Sequence, residues 1–179
     1  MKITNQFRIW LVCLFVLGSI TIACLATPTP VPTPTPWSPT ASEYNQQGLD
    51  HAYAGDLEQA LRDFKQAVEL DPDNADYRNN VCWFGSLAGQ ATEVIGTCRQ
   101  AVELAPQAGY IRDSRGLALA LTGDYERAIT DFKFFVAWCK ESEDDRFEAL
   151  CPKREVWIAE LEAGHNPFDE ATLQELLIE

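Results

Sequence analysis

Apolar residues recur at helical spacing along the chain, in stretches separated by glycine. Ala60, Leu61, Phe64, Ala67 and Val68 fall on one face of a helix with 3.6 residues per turn. They predict a helix over residues 57–70, with the intervening polar residues on its exposed face. Another helix is expected over about residues 42–54, so this part of the chain is predicted to form a helical hairpin.

The same pattern returns every 34 residues. Each predicted turn contains a two-residue step, and the three steps are Gly55-Asp56, Gly89-Gln90 and Gly123-Asp124. The positions seven residues before the turn glycine are Gly48, Cys82 and Gly116, and those nine residues after it are Phe64, Cys98 and Phe132. A fixed period of this length is typical of stacked helical hairpins.

These residues resemble the tetratricopeptide repeat over residues 41 to about 140. That family has small residues where two helices touch, a large apolar residue inside the hairpin, and proline after the second helix. The resemblance implies an all-α, right-handed solenoid of about three hairpins, at residues 41–74, 75–108 and 109–140, of which the middle one is degenerate. Residues 141–179 are expected to form an acidic loop and capping helices, because the open end of a solenoid requires a cap.

The resemblance also implies a concave groove that holds an extended or helical peptide. The family's usual contact positions correspond here to Asn45, Leu49, Tyr53, Asp76, Asn79, Trp83, Tyr110, Asp113 and Leu117. Trp83 beside asparagines suits a recognition surface, but it equally suits packing against a neighbouring helix. A clamp for a C-terminal carboxylate is not expected, because only Asn80 matches the residues that form one.

The N-terminal region predicts export and tethering. Lys2 and Arg8 precede an apolar run over residues 9–26, so residues 1–23 are interpreted as a signal peptide. Ala23 before Cys24 resembles a bacterial lipoprotein cleavage site, at which the cysteine is lipidated. The alternative is an uncleaved membrane helix, because 18 apolar residues reach the lower limit for spanning. Either anchor places the repeats outside the cytoplasm, and the proline-rich residues 24–40 are expected to be a linker.

The charge of the chain argues against a nucleic-acid partner. Beyond the linker, 27 acidic residues stand against 12 lysines and arginines, which gives a net charge of −15. Phosphate contacts require clustered basic residues, which this sequence pattern does not show. A solvated acidic surface is the simplest interpretation.

The cysteines predict two disulfides. An antiparallel middle hairpin is expected to set Cys82 and Cys98 at similar heights on facing helices, and Cys139 and Cys151 bracket the acidic stretch. The alternative for the first pair is two buried thiols that fill the space of the glycine and phenylalanine in the other hairpins. No metal site is expected, since the cysteine spacings contain no Cys-x-x-Cys motif.

The remaining chemistry points to binding rather than to catalysis. Arg115 occupies a normally apolar position, so we expect a structural ion pair with Asp131. The sequence contains no phosphate-binding loop, nucleophile motif or zinc-protease motif, so no enzymatic activity and no cofactor are expected. The sequence predicts a membrane-tethered adaptor or assembly factor of the cell envelope that binds proteins or peptides. The alternatives are a structural envelope component that self-associates and, more remotely, a thiol oxidoreductase.

Overall fold

The computed structural model describes residues 38–177. Within that range nine helices follow one another without a strand, which confirms the all-α prediction. The first six are α1 (Ala41–Tyr53), α2 (Leu57–Leu70), α3 (Ala75–Leu87), α4 (Ala91–Leu104), α5 (Gly109–Leu121) and α6 (Tyr125–Glu141). The last three are α7 (Asp145–Glu148), α8 (Cys151–Glu162) and α9 (Glu170–Leu176).

The repeated Gly-Asp step has two separate structural roles. The turn glycines have φ between 76° and 83°, a left-handed conformation that glycine adopts without strain, and they are Gly55, Gly89 and Gly123. The aspartate then caps the next helix, because its side chain accepts a hydrogen bond from a backbone N–H in the first turn. Asp56 and Asp124 form such caps for α2 and α6, whereas Gln90 forms no side-chain cap for α4.

The helices pack as a series of antiparallel hairpins. α1 packs on α2, α3 on α4 and α5 on α6, and each hairpin contacts the next through α2 with α3 and α4 with α5. α3 also packs against α5, so the first helices of neighbouring hairpins lie side by side. After the third hairpin α8 packs against α6, and α9 returns to contact α3.

Glycine and phenylalanine set the spacing between the two helices of the outer hairpins. A Cβ atom added to Gly48 would lie 2.6 Å from the Phe64 ring, and one added to Gly116 would lie 2.8 Å from Phe132. Both rings are fully buried, so each glycine permits a contact that no larger residue allows. The middle hairpin instead joins Cys82 to Cys98 through a disulfide with a Cα–Cα distance of 5.0 Å.

The segment after the third hairpin is more ordered than a loop. α6 has 17 residues, compared with 13 or 14 in each of the five helices before it, and it ends beside the predicted acidic loop. Part of that loop forms α7, which begins after Asp144 because the Asp144 side chain accepts from the Arg146 backbone N–H. A disulfide between Cys139 and Cys151 closes the segment at a Cα–Cα distance of 6.3 Å.

The predicted signal peptide (residues 1–23), the predicted lipidation site Cys24 and the predicted linker up to residue 37 lie outside the described residues. Within residues 38–177, no helix combines the length and the apolar character that crossing a membrane requires. The tether therefore stays a prediction.

Candidate functional site: a peptide groove

A groove with a volume of about 400 Å³ is lined by residues of α1, α3, α5, α7 and α8 and by the short connection between α7 and α8. Its apolar lining consists of Leu49, Tyr53, Trp83, Phe84, Phe147 and Leu150. Its polar lining consists of Asp76, Asn79, Asn80, Tyr110, Asp113, Ser114, Arg146 and Arg154. This mixture of aromatic and hydrogen-bonding groups is typical of a surface that binds a ligand.

Seven of the nine residues expected to contact a peptide line the groove; Asn45 and Leu117 do not. The Asn45 side chain instead accepts a hydrogen bond from the amide of Asn80, at 2.7 Å. Leu117 is fully buried and belongs to the core. The position to which the resemblance assigns a ligand contact therefore packs between helices here.

A polar contact along the groove joins equivalent positions of the second and third hairpins. The Tyr110 hydroxyl donates a 2.7 Å hydrogen bond to the carboxylate of Asp76, one repeat earlier in the chain. Burial of the phenol, together with the hydrogen bond to Asp76 and the negative charge of that carboxylate, raises the pKa of Tyr110 to about 12. Tyr110 is therefore a neutral donor at any physiological pH, and it holds α5 against α3.

Trp83 lies at the boundary between the core and the groove. It is half-buried and packs against the main core cluster, and it also lines the groove. Beside it, Phe84 is buried and stacks on Phe64 with 5.2 Å between the ring centroids. The core thus fixes the orientation of the aromatic wall, so a ligand contacting Trp83 meets a preorganised surface.

The segment bridged by the second disulfide supplies another part of the groove wall. Phe147 of α7 stacks on Tyr110 at 5.8 Å and meets Trp138 of α6 edge-on at 4.8 Å. Leu150 and Arg146 line the groove next to it. Sequence reasoning missed these residues. The available signal was an aromatic and an aliphatic residue within an otherwise acidic stretch, bracketed by two cysteines.

A buried ion pair lies at the groove. The Arg154 guanidinium donates a 2.8 Å hydrogen bond to the Asp113 carboxylate, and the exposed fractions of these residues are 1% and 4%. The guanidinium also lies 4.3 Å from the centroid of the Trp157 ring. Asp113 was expected to contact a peptide, but its carboxylate is committed to joining α5 to α8.

One polar atom in the groove wall has no partner. The side-chain oxygen of Asn79 is buried and accepts no hydrogen bond from any described residue. A buried acceptor without a donor is unfavourable by roughly 1–3 kcal/mol. Asn79 also lines the groove, so a turn of its side chain would offer this oxygen to an N–H group of a ligand.

The other predicted residues lie outside the groove. The Arg115 guanidinium donates two 2.7 Å hydrogen bonds to the Asp131 carboxylate, which is almost fully buried. Both cysteine pairs form disulfides. Over the described residues, no group of three or more histidines, cysteines and acidic residues is placed to hold a metal ion.

Comparison with known proteins agrees with this architecture. Residues 41–74 match the family model of the tetratricopeptide repeat. The chain is 31% identical over 88 residues to DnaJ protein P58IPK homolog B of Oryza sativa subsp. japonica, a match covering 47% of this chain and 19% of that relative. It thus spans less than a fifth of the relative's length.

Solved tetratricopeptide domains superpose on most of the chain. The Sgt2 domain of Aspergillus fumigatus has a TM-score of 0.58 at 19% identity, and the match covers 74% of this chain and 88% of that one. The first such domain of Spaghetti (RPAP3), solved with the HSP90 peptide SRMEEVD, has a TM-score of 0.56 at 18% identity. That match covers 67% of this chain and 94% of the other. The prediction of a solenoid of tetratricopeptide-like hairpins is confirmed.

Proposed function

We propose that this chain is a membrane-tethered adaptor or assembly factor outside the cytoplasm, and that it captures a peptide segment of a partner protein in the groove. The main support for peptide binding is the groove wall, which presents Trp83 beside Asn79, a residue whose buried side-chain oxygen lacks a partner among the described residues. An apolar side chain of a peptide can pack on Trp83, and a backbone N–H can reach the Asn79 oxygen once that side chain turns towards the groove. The RPAP3 domain, which has the same fold, was solved with a peptide bound.

The charges of the groove indicate what kind of peptide it takes. Arg146 pairs with Asp144, and Arg154 pairs with Asp113, so neither arginine presents an uncompensated positive charge. Asp76 accepts a hydrogen bond from Tyr110 and forms no ion pair with a described residue. The groove therefore suits a segment with an aromatic or aliphatic anchor and without an acidic end.

Substitution of Trp83 tests the groove. Peptides would first be selected on the full-length protein from a random displayed library, and their dissociation constants then measured by fluorescence anisotropy. Trp83→Ala is expected to weaken binding by about tenfold or more, because a buried aromatic anchor contributes most of the binding energy in such a site. The matched control is Leu104→Ala, which truncates an apolar residue that is 43% exposed and does not line the groove.

Equal binding by the Trp83 variant and the wild type would exclude the groove as the binding site. Failure to select any peptide, together with sedimentation that reveals concentration-dependent dimers, would instead favour the self-associating structural component.

The tether has its own test. Cells producing the full chain with a labelled fatty acid are expected to incorporate label into the protein and to retain it in the membrane fraction. Cys24→Ser would abolish incorporation, whereas Cys13→Ser, a matched change within the same apolar region, would not. Membrane retention without label in the wild type would identify the uncleaved helix as the anchor.

A further inference from the structure

A second concavity, distinct from the groove, concentrates positive charge in an acidic protein. It has a volume of about 370 Å³ and is lined by residues of α4, α5 and α6. Its lining contains four arginines, a third of the 12 basic residues that follow the linker: Arg99, Arg112, Arg115 and Arg127. We call this concavity the arginine pocket. Four guanidinium groups within one depression of a chain of net charge −13 require an explanation.

Nearby carboxylates balance most of this charge but not all of it. Asp131 binds Arg115 and lies 3.5 Å from Arg112, and the exposed Asp124–Arg127 pair lies at the rim. Glu103 also lines the pocket. Among the lining residues, four arginines stand against two carboxylates, Glu103 and Asp131, which gives a net charge of +2, while Asp124 and Glu126 act on Arg127 from outside the lining. The lining is therefore positive although the chain as a whole is acidic.

The arginines retain many hydrogen-bond donors. Each guanidinium has five N–H groups in a fixed fork. Arg99 forms no hydrogen bond or ion pair with any residue in the range 38–177, and Arg112 donates a hydrogen bond only to the carbonyl of Pro106. The Nη1 groups of Arg115 and Arg127 are likewise uncommitted within this range. An oxyanion entering the pocket would meet free donors without breaking an existing contact.

The inner arginines are held in place before any ligand arrives. The Arg112 guanidinium lies 4.1 Å from the centroid of the Phe134 ring, and two hydrogen bonds to Asp131 orient Arg115. The exposed fractions of these two side chains are 22% and 21%, so both still reach solvent. Such fixed cations lose little conformational freedom on binding.

We propose that the arginine pocket binds a phosphate monoester, carried either by a soluble molecule or by a lipid headgroup. A carboxylate has only two oxygens, and a single guanidinium can donate to both of them, as Arg115 does to Asp131. A phosphate monoester carries a charge of about −1.5 to −2 and three terminal oxygens, which matches the several donors that converge here. This binding is independent of the groove, because the two sites share no lining residue.

Calorimetric titration of the full-length protein at low salt, with glycerol 3-phosphate as the probe, tests the pocket. Arg99→Gln is expected to weaken binding by about tenfold, because it removes charge-assisted hydrogen bonds without disturbing a contact of the fold. The matched control is Lys65→Gln, which makes the same change of charge on an exposed face of α2 and is expected to leave binding unchanged.

A second arm identifies the source of the phosphate. Flotation with phosphatidylcholine vesicles, with and without phosphatidic acid, is compared between the wild type and Arg99→Gln, so that any binding through the N-terminal region cancels. If phosphatidic acid increases the amount of wild-type protein that floats with the vesicles, and Arg99→Gln abolishes that increase, the ligand is a lipid headgroup. If the protein binds glycerol 3-phosphate but phosphatidic acid does not increase flotation, the ligand is a soluble molecule. Three outcomes would overturn the proposal. The wild type does not bind glycerol 3-phosphate, Arg99→Gln and Lys65→Gln lose equal affinity, or the wild type binds acetate as tightly as glycerol 3-phosphate.

Discussion

Arg154→Met is expected to lower the free energy of unfolding by about 3–5 kcal/mol, because it removes the arginine that pairs with the buried Asp113 carboxylate. Methionine retains most of the apolar volume that packs near Trp157, so the change isolates the charge more cleanly than alanine would. Equilibrium unfolding in urea, followed by far-ultraviolet circular dichroism, measures the loss. The same variant is expected to loosen α8, because this ion pair joins α8 to α5.

Two further variants test whether the loss of stability comes from the buried charge. Asp113→Asn combined with Arg154→Met removes both charges and is expected to recover much of the lost stability. Arg146→Met removes an arginine whose side chain is 84% exposed and is expected to have no measurable effect. An Arg154→Met variant as stable as Arg146→Met would show that the buried pair does not hold α8 in place.

Opening the Cys82–Cys98 disulfide is expected to lower the free energy of unfolding by about 3 kcal/mol, since a bridge closing a loop of this length restricts the unfolded chain by that amount. The effect is important for the middle hairpin, because it has no side-chain cap on α4 and lacks the glycine–phenylalanine contact of its neighbours. Urea unfolding at equilibrium, with and without dithiothreitol, measures the contribution.

A background lacking the other bridge makes this measurement specific. In Cys139→Ala/Cys151→Ala, the reductant opens only the Cys82–Cys98 disulfide among the described cysteines, and no side chain in the middle hairpin has been changed. The shift of the urea midpoint then reports that bridge alone. Coincident unfolding curves with and without reductant would show that the two thiols pack as well as the disulfide does.

The hairpins could be predicted because the local preferences of turn and cap residues favour the same structure as the overall fold. Turn glycines such as Gly55 and the caps that follow them, such as Asp56, repeat at a fixed interval, and each acts within a few residues of its own position. The proximity of Arg115 to Asp131 follows from the same hairpin geometry. Most of the groove then follows from the first helix of each hairpin, because equivalent positions of a repeat lie on one surface.

The other features of the groove and the arginine pocket depend on packing between helices, which the 34-residue repeat does not predict. Leu117 is one residue from the small Gly116, and only the arrangement of the helices places it in the core rather than at the groove. Phe147 and Arg154 reach the groove from a segment outside the repeat, so their positions depend on how α7 and α8 dock. The arginine pocket is similarly a product of three helices, and its residues are scattered along the sequence.

If the hairpins arose by duplication of a unit like α1–α2, the contact between glycine and phenylalanine limits the order of the substitutions that produced the disulfide of the middle hairpin. In such a unit a cysteine at the Gly48 position would place its Cβ 2.6 Å from the ring of a buried phenylalanine, so that substitution could not come first without displacing the helices. Loss of the phenylalanine creates the space that a cysteine at the glycine position can enter. On that origin, the ring was lost before Cys82 was gained, and the bridge to Cys98 now links the two helices in its place.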